Sequence, residues 1–183
     1  MHLKALKHLA AVAAAIAQEG RIVVLGSSSI LGTYPEADSD YEWVRLSRDA
    51  DFVLDPYDDG TARIAHDALG VDSVFDQQYG YYADIIRPMA YENFPPGWQD
   101  RLVPLEGCAG VFCLEPHDMA VAKCFPARKK DHDLLAALIG AGRLSPPVLK
   151  ERLSSMALTE AWIVKSHRFL HGVAEAGGQP LPR

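Results

Sequence analysis

Two aspartates separated by one residue, Asp49 and Asp51, most strongly constrain how this chain can fold. They lie in a stretch predicted to be extended, where side chains alternate between faces, so both carboxylates project the same way with Cα atoms about 7 Å apart. Carboxylates this close repel each other unless a cation lies between them, and oxygen ligands are those that Mg²⁺ prefers. The pattern therefore predicts a sheet in which the start of one strand is open to a divalent cation.

An apolar strand at residues 21–25 ends at Gly26, and three serines follow it. A glycine–serine turn at the start of a helix presents backbone N–H groups that can hold a phosphate, which makes Gly26, Ser27 and Ser28 candidate nucleotide-binding residues. The same serines would also serve as an ordinary helix N-cap. Together with the aspartate pair, the turn suggests metal-assisted chemistry on a nucleotide.

The composition restricts the class of protein. With 183 residues, of which 49% are hydrophobic and 23% charged, the chain can bury a core and is too apolar for wholesale disorder. Its net charge of −6 argues against a large nucleic-acid surface, although a local basic patch is compatible with it. The spacing of the three cysteines fits neither a disulfide framework nor a zinc site, so reduced thiols are expected.

The first 18 residues admit two interpretations. Lysines precede an apolar run that ends in Ala15-Ile16-Ala17, as in signal peptides. However, the run is mostly alanine, and its spacing favours an amphipathic helix that packs on the next strand, with one face formed by Leu3, Leu6, Ala10, Ala13 and Ala17. No stretch is long and apolar enough to span a bilayer. We therefore expect a cytoplasmic protein with no membrane partner.

Periodicity and turn residues predict an α/β (α+β) fold, in which helices flank a mixed β-sheet. Helices are expected at residues 3–18 and 61–69, with a brief helix after Gly26 and an acidic loop at residues 36–41. The expected strands are residues 21–25, 48–54, 71–75, 81–86, 101–105 and 111–114, of which the last two would pair as a hairpin.

The C-terminal third is predicted to be helical. Pro116 suits a first helical position, and helices are expected at residues 116–124, 131–139, 146–155 and 159–174. The predicted organisation is therefore an α/β core at residues 1–115 and a helical part at residues 116–183 that packs on this core.

A third carboxylate follows the aspartate pair along the chain. Asp84 lies in the predicted strand at residues 81–86, and Asp76 is a second candidate. A turn at Gly26-Ser27, a strand with Asp49-x-Asp51 and a carboxylate on a later strand, in this order, resemble the motif of the nucleotidyltransferase superfamily.

Three segments between about residues 22 and 153 give a closer resemblance. They are Arg45-x-Ser47-x-Asp49-x-Asp51; Pro95-Pro96-Gly97-Trp98-x-x-Arg101-Leu102; and Pro116-His117-Asp118-Met119-Ala120-Val121-Ala122-Lys123, which runs into Ala127-Arg128-Lys129-Lys130-Asp131. In this order the segments resemble small bacterial nucleotidyltransferase-like proteins related to abortive-infection toxin–antitoxin nucleotidyltransferases.

The resemblance implies an Mg²⁺-dependent enzyme that transfers a nucleoside monophosphate from a nucleoside triphosphate to an acceptor hydroxyl on RNA or protein. Asp49, Asp51 and Asp84 would be the catalytic residues and the metal ligands. The implied nucleotide-binding residues are Gly26, Ser27, Ser28, Arg45, Ser47, Lys123 and Arg128.

Two other functions are compatible with these residues. One is a catalytically silent regulatory protein with the nucleotidyltransferase fold, such as a toxin–antitoxin component with a cognate partner. The other is a metal-dependent phosphohydrolase, which would release phosphate or pyrophosphate without a modified acceptor. The change Asp49→Ala separates the first from the enzyme, because loss of transfer with retained folding requires a catalytic role.

Overall fold

The computed structural model describes residues 1–18 and 20–181, which form a mixed β-sheet and surrounding helices. The chain divides into two compact units. The first unit comprises residues 1–90 and 101–115, and the second comprises residues 91–100 and the chain from Pro116 onward. The α/β class predicted from the sequence is confirmed, whereas the packing of a helical part on the core stays a prediction.

The first unit contains the five-stranded sheet. Its strands are β1 (Arg21–Val24), β2 (Asp49–Asp55), β3 (Tyr82–Ile85), β4 (Val103–Pro104) and β5 (Val111–Cys113). The strand order is β3-β2-β1-β5-β4, with β2 antiparallel and β5 parallel to β1, and with β3 parallel to β2. β4 and β5 are antiparallel, which confirms the predicted hairpin at one edge.

The helices of the first unit are α1 (Leu3–Ala17), α2 (Ala37–Asp40), α3 (Glu42–Leu46), α4 (Asp59–Leu69) and α5 (Val74–Tyr79). A 3₁₀ helix, Ser27–Gly32, follows Gly26 as predicted. α1 contacts β1 and α4 and buries its apolar face, namely Leu6, Leu9, Ala10 and Ala13. The prediction of an amphipathic first helix that packs on the next strand is confirmed.

The end of the 3₁₀ helix packs closely against β5. A β-carbon on Gly32 would lie 2.6 Å from Cβ of Cys113 on β5, so a larger residue would not fit there. Cys113 and Cys124 are buried, and this burial raises the pKa of both thiols to about 12. The three cysteines are unpaired, as expected.

Two predictions for the first unit were wrong. The strand expected at residues 71–75 is replaced by a turn and the start of α5, because the Ser73 hydroxyl accepts a hydrogen bond from the Asp76 N–H at 3.1 Å and caps the helix. The acidic loop expected at residues 36–41 contains α2 instead. Burial of Ala37 and Tyr41 holds that segment in helical form despite its charged residues.

The second unit is helical. It contains α6 (Pro116–Lys123), α7 (Lys129–Gly140), α8 (Pro146–Ser154) and α9 (Glu160–Ala176), close to the predicted bounds. Two 3₁₀ helices, Pro88–Asn93 and Trp98–Arg101, lie where the chain passes between the two units. Across residues 1–18 and 20–181, none of the helices combines the length and the apolarity that crossing a bilayer requires.

Candidate metal centre and nucleotide site

Three aspartates meet at one end of the sheet in the first unit. Asp49 and Asp51 lie at the start of β2, and the parallel register of β2 and β3 pairs Asp51 with Asp84. One carboxylate oxygen from each aspartate lies within 4.8 Å of the other two, and all three residues are half-buried. The structure thus brings the predicted pair and the predicted third carboxylate together; we call these residues the aspartate cluster.

The aspartate cluster fits a divalent cation. Mg²⁺ and Ca²⁺ contact oxygen ligands at about 2.0–2.6 Å, so two oxygens on opposite sides of one ion lie roughly 4–5 Å apart. The spacing of the three carboxylates agrees with this range. Three negative charges this close repel one another, whereas around one cation they form the oxygen donor set that these metals prefer. The residues present could therefore hold such an ion.

Gly26 forms one wall of the aspartate cluster. Its φ of +61° lies in the left-handed region, and a β-carbon on it would overlap Oδ2 of Asp51. The Leu25 N–H donates to the Asp51 carbonyl at 2.8 Å and holds the turn to the start of β2. A glycine is therefore required here so that the Asp51 carboxylate can lie against the turn.

The serines after Gly26 differ in exposure. Ser28 and Ser29 are buried: the Ser28 hydroxyl donates to the Asp49 carbonyl at 3.3 Å, and the Ser29 hydroxyl donates to the Gly26 carbonyl at 2.8 Å. Ser27 is only half-buried, so its hydroxyl is the best placed of the three to meet a ligand. The nucleotide-binding roles of Gly26, Ser27 and Ser28 stay predictions.

Two further predicted binding residues lie just before β2. The Ser47 hydroxyl donates a hydrogen bond to Oδ1 of Asp49, so Ser47 orients a residue of the aspartate cluster. The Arg45 guanidinium lies 4.0 Å from the Glu42 carboxylate, and both side chains are exposed. Such a pair is weak in solvent and would yield to a stronger anion. Nucleotide binding by Arg45 and Ser47 stays a prediction.

A contact that the sequence did not reveal holds β3 against β2. Arg48 donates from Nη2 to Asp76 at 2.6 Å and from Nε to the Gly80 carbonyl at 2.9 Å. Asp76 is 6% exposed and also accepts from the Asp72 N–H at 3.2 Å. Because α5 and Gly80 lead into β3, these contacts fix where β3 begins beside β2. Asp76 is therefore engaged with Arg48, and Asp84 joins the aspartate cluster.

Tyr82 lies in the negative field of the aspartate cluster. It is the register partner of Asp49, and its ring centre is 6.0 Å from the Arg48 guanidinium carbon. Partial burial, and then the charges of Asp49 and Asp84, raise the pKa of Tyr82 above its ordinary value. The same carboxylates that disfavour a tyrosinate attract a cation.

Lys123 and Arg128 lie in the second unit, where both contact Asp131. Lys123 Nζ is 3.1 Å from Oδ1 of Asp131, and Arg128 Nε is 2.8 Å from Oδ2. Burial alone would raise the pKa of Asp131, but the hydrogen bond from Arg128 and the charge of Lys123 hold it below its ordinary value. Nucleotide binding by Lys123 and Arg128 stays a prediction.

A mixed sheet with three converging carboxylates beside a glycine–serine turn defines a nucleotidyltransferase-type site that could hold a divalent metal. A family model described as "Nucleotidyltransferase of unknown function (DUF6036)" matches residues 1–171 of the chain. The chain belongs to this family, which confirms the resemblance to the nucleotidyltransferase superfamily and implies a nucleotide substrate. No curated protein and no solved structure gives a significant match. A toxin–antitoxin relation stays a prediction.

Proposed function

We propose that this protein is an Mg²⁺-dependent nucleotidyltransferase that transfers a nucleoside monophosphate from a nucleoside triphosphate to an acceptor hydroxyl. The observation that carries the proposal is the convergence of Asp49, Asp51 and Asp84, with one oxygen of each within 4.8 Å of the others. Membership of a nucleotidyltransferase family supports the class of substrate. Mg²⁺ is favoured over Ca²⁺ because Mg²⁺ in phosphate-transfer sites is bound by few carboxylates together with the substrate phosphates, whereas Ca²⁺ takes about six to eight oxygen ligands.

The three aspartates have different roles in the proposed reaction. Asp49 and Asp51 on β2 and Asp84 on β3 would hold the metal. When bound, Mg²⁺ supplies charge neutralisation and polarisation at the transferred phosphate. The acceptor oxygen forms a bond to the α-phosphorus, the bond from that phosphorus to the bridging oxygen breaks, and pyrophosphate leaves. Asp84 accepts the proton that the acceptor hydroxyl loses.

Other residues position the aspartates and the triphosphate. Ser28 and Ser47 hydrogen-bond to Asp49 and keep it in place. Backbone N–H groups of the turn after Gly26 and the Ser27 hydroxyl hold the terminal phosphates. The positive charge of Arg45 offsets part of the charge of the triphosphate.

Label transfer tests this function. The protein is incubated with Mg²⁺, total RNA or cell extract, and each nucleoside triphosphate labelled either at the α-phosphate or at the γ-phosphate. The α-label is expected to appear on an acceptor and the γ-label to leave as pyrophosphate. Asp49→Asn and Asp51→Asn should abolish transfer, whereas Asp67→Asn, an exposed position on α4, serves as the matched control and should retain it.

The other outcomes identify the alternatives. Release of phosphate or pyrophosphate without a labelled acceptor would indicate a phosphohydrolase. A different outcome is a wild type that transfers no label and binds a partner as tightly as Asp49→Asn and Asp51→Asn do. That result would indicate a silent regulatory protein, such as a toxin–antitoxin component. Either result would overturn the proposal.

A further inference from the structure

A concave site lies in the first unit at the edge strand β3. It is a groove of about 410 Å³ that is distinct from the aspartate cluster. Its polar lining comes from three places in the chain. Tyr57 lies in the loop after β2, Arg87 follows β3, and α4 contributes Asp59, Arg63 and His66. These five residues define what we call the β3-edge groove.

The β3-edge groove carries more positive than negative charge, although the net charge of the chain is −6. Its two arginines, Arg63 and Arg87, are accompanied by one carboxylate, Asp59, which lies 3.6 Å from Nη2 of Arg87. The Arg87 and Asp59 side chains are 70% and 80% exposed, so solvent weakens their attraction and Arg87 can exchange Asp59 for another anion. A groove with surplus positive charge attracts anionic ligands even on an acidic protein.

Arg63 strengthens this interpretation. The residue is exposed, and within the part of the chain that the structure describes its guanidinium forms neither an ion pair nor a hydrogen bond. The Tyr57 hydroxyl donates to Oδ1 of Asp59 at 3.1 Å, which places the phenol ring beside the charged groups. The groove therefore presents two guanidinium groups together with the rings of Tyr57 and His66.

This combination matches single-stranded nucleic acid. A guanidinium group pairs with two phosphate oxygens at once, and aromatic rings in a basic groove provide surfaces on which unpaired bases stack. A phosphorylated peptide would also pair with the arginines, but it would leave the two rings without a role. The chemistry of the lining thus favours a polynucleotide over a phosphopeptide.

The position of the groove suits a polynucleotide that serves as the acceptor. Ile85 lines the groove and directly follows Asp84 in β3, and consecutive residues of a strand face opposite sides of the sheet. Because β3 is an edge strand, a polynucleotide that crosses this edge meets the groove on one face and the aspartate cluster on the other. Arg87 lies three residues beyond Asp84, about 10 Å along an extended chain.

We propose that the β3-edge groove binds the phosphodiester backbone of a single-stranded nucleic acid, which serves as the acceptor. This inference rests on the proposed function, since it names the acceptor of that reaction. The phosphate oxygens of the strand replace Asp59 at Arg87 and pair with Arg63. The bases pack against Tyr57 and His66.

Fluorescence anisotropy with labelled single-stranded RNA and single-stranded DNA, in buffer without Mg²⁺, tests the proposal. The double variant Arg63→Ala/Arg87→Ala should weaken binding at least tenfold, and should reduce the slope of log affinity against log salt by about 1.4, or about 0.7 for each lost phosphate contact. The matched control, Lys130→Ala/Arg168→Ala, removes the same charge from exposed positions of the second unit and should bind as the wild type does. Circular dichroism checks that both variants are folded.

The binding assay tests the β3-edge groove, and the label-transfer assay tests the proposed reaction, so a failure of one can be told from a failure of the other. If Asp49→Asn binds RNA or DNA normally but transfers no label, the two sites act independently, as proposed. Equal binding by the wild type and Arg63→Ala/Arg87→Ala, no binding of either nucleic acid, or preferential binding of a phosphopeptide would overturn the inference and leave the nucleotidyltransferase function intact. Strong groove-dependent binding without any label transfer would instead count against the proposed reaction.

Discussion

Gly26 and Asp51 fit together so closely that a β-carbon on Gly26 would overlap Oδ2 of Asp51. The glycine has a φ of +61°, and the preceding Leu25 N–H donates to the Asp51 carbonyl at 2.8 Å. The turn and the carboxylate therefore form a single structural unit. This relationship gives Gly26 a role in placing a metal ligand that is separate from any contact with phosphate.

Replacement of Gly26 by alanine should disable metal binding. The added methyl group must displace the Asp51 carboxylate, and the left-handed backbone conformation costs an additional 1–3 kcal/mol or so. We expect Mn²⁺ affinity, measured by electron paramagnetic resonance, to fall by about two orders of magnitude, the equivalent of roughly 2.8 kcal/mol. Label transfer should fall with it.

Gly142→Ala is the matched control for this change. Gly142 has a similar φ of +70°, but no atom lies within 4 Å of the β-carbon that alanine would add. It should therefore share the loss of stability and keep normal Mn²⁺ affinity. Equal affinities in Gly26→Ala and Gly142→Ala would show that the fit between Gly26 and Asp51 is unimportant.

Removal of one charge from the aspartate cluster should uncouple stability from Mg²⁺. Asp84→Asn relieves repulsion among three carboxylates whose oxygens lie within 4.8 Å, so the metal-free variant should be at least as stable as the wild type. At a free Mg²⁺ concentration of about 100 times Kd, the wild type should gain about 2.7 kcal/mol, and the variant much less. Thermal melts with and without Mg²⁺ measure this difference. An identical Mg²⁺ response in the two proteins would exclude Asp84 as a ligand.

Local sequence patterns were sufficient for most of the fold. The apolar spacing of α1, the β-branched residues of β1 and the turn residues around them predicted these elements because each is stabilised by its own neighbours in the sequence. Part of the aspartate cluster followed from the same logic, because strand periodicity alone places Asp49 and Asp51 on one face. The third carboxylate came from the resemblance to the nucleotidyltransferase motif, which left a choice between Asp84, now found on β3, and Asp76, now found in α5.

The errors arose where helix capping, burial and distant contacts outweigh the local sequence pattern. Residues 71–75 include valines and a phenylalanine, which favour a strand, yet Ser73 and the buried Asp76 make the segment helical. Asp76 is buried because Arg48, 28 residues earlier, reaches it. Such a long-range ion pair produces no periodic pattern in the sequence. The one sequence feature related to it is that Arg48, a positive residue, directly precedes Asp49.

The contact between Arg48 and Asp76 should support catalysis by positioning β3. Replacing Asp76 by alanine removes charged hydrogen bonds from a residue that is only 6% exposed, at a cost of about 1.5–3 kcal/mol. We expect Asp76→Ala to lower kcat about tenfold, since Asp84 is no longer fixed beside Asp51, with little change in KM for the nucleotide. Arg48→Ala should do the same.

A double-mutant cycle on kcat tests whether Arg48 and Asp76 act together. The double variant Arg48→Ala/Asp76→Ala should be no slower than either single variant, because each change already breaks the same contact. Multiplicative losses of kcat would show that Arg48 and Asp76 act on the aspartate cluster independently. Asp72→Asn is a suitable control, because the contact of Asp72 with Asp76 uses only the backbone N–H and asparagine tolerates the φ of +64° at this position.

The second unit should depend on the buried ion pair between Arg152 and Asp118. Arg152 Nη1 lies 2.8 Å from Oδ1 of Asp118, and the Asp118 side chain is fully buried. Arg152→Ala removes this guanidinium from a buried carboxylate, which should cost about 3–5 kcal/mol in the free energy of unfolding measured with urea. Asp133→Ala breaks the exposed pair with Lys129 and should change the free energy of unfolding very little. Similar losses in the two variants would show that burial of the pair is irrelevant.

Acid should remove the stabilisation that Asp131 provides. Burial acts to raise the pKa of this carboxyl, but hydrogen bonding by Arg128 and the charge of Lys123 keep the pKa in the folded state below its ordinary value. A group with a lowered pKa in the folded state stabilises fully above its ordinary pKa of about 4, and that contribution is lost as the pH falls through the folded value. The difference in the free energy of unfolding between the wild type and Asp131→Asn should therefore be constant from pH 7 to about pH 5 and shrink below about pH 4. Urea titrations across this range measure it, and a difference that grows on acidification would mean that the folded state raises the pKa of Asp131.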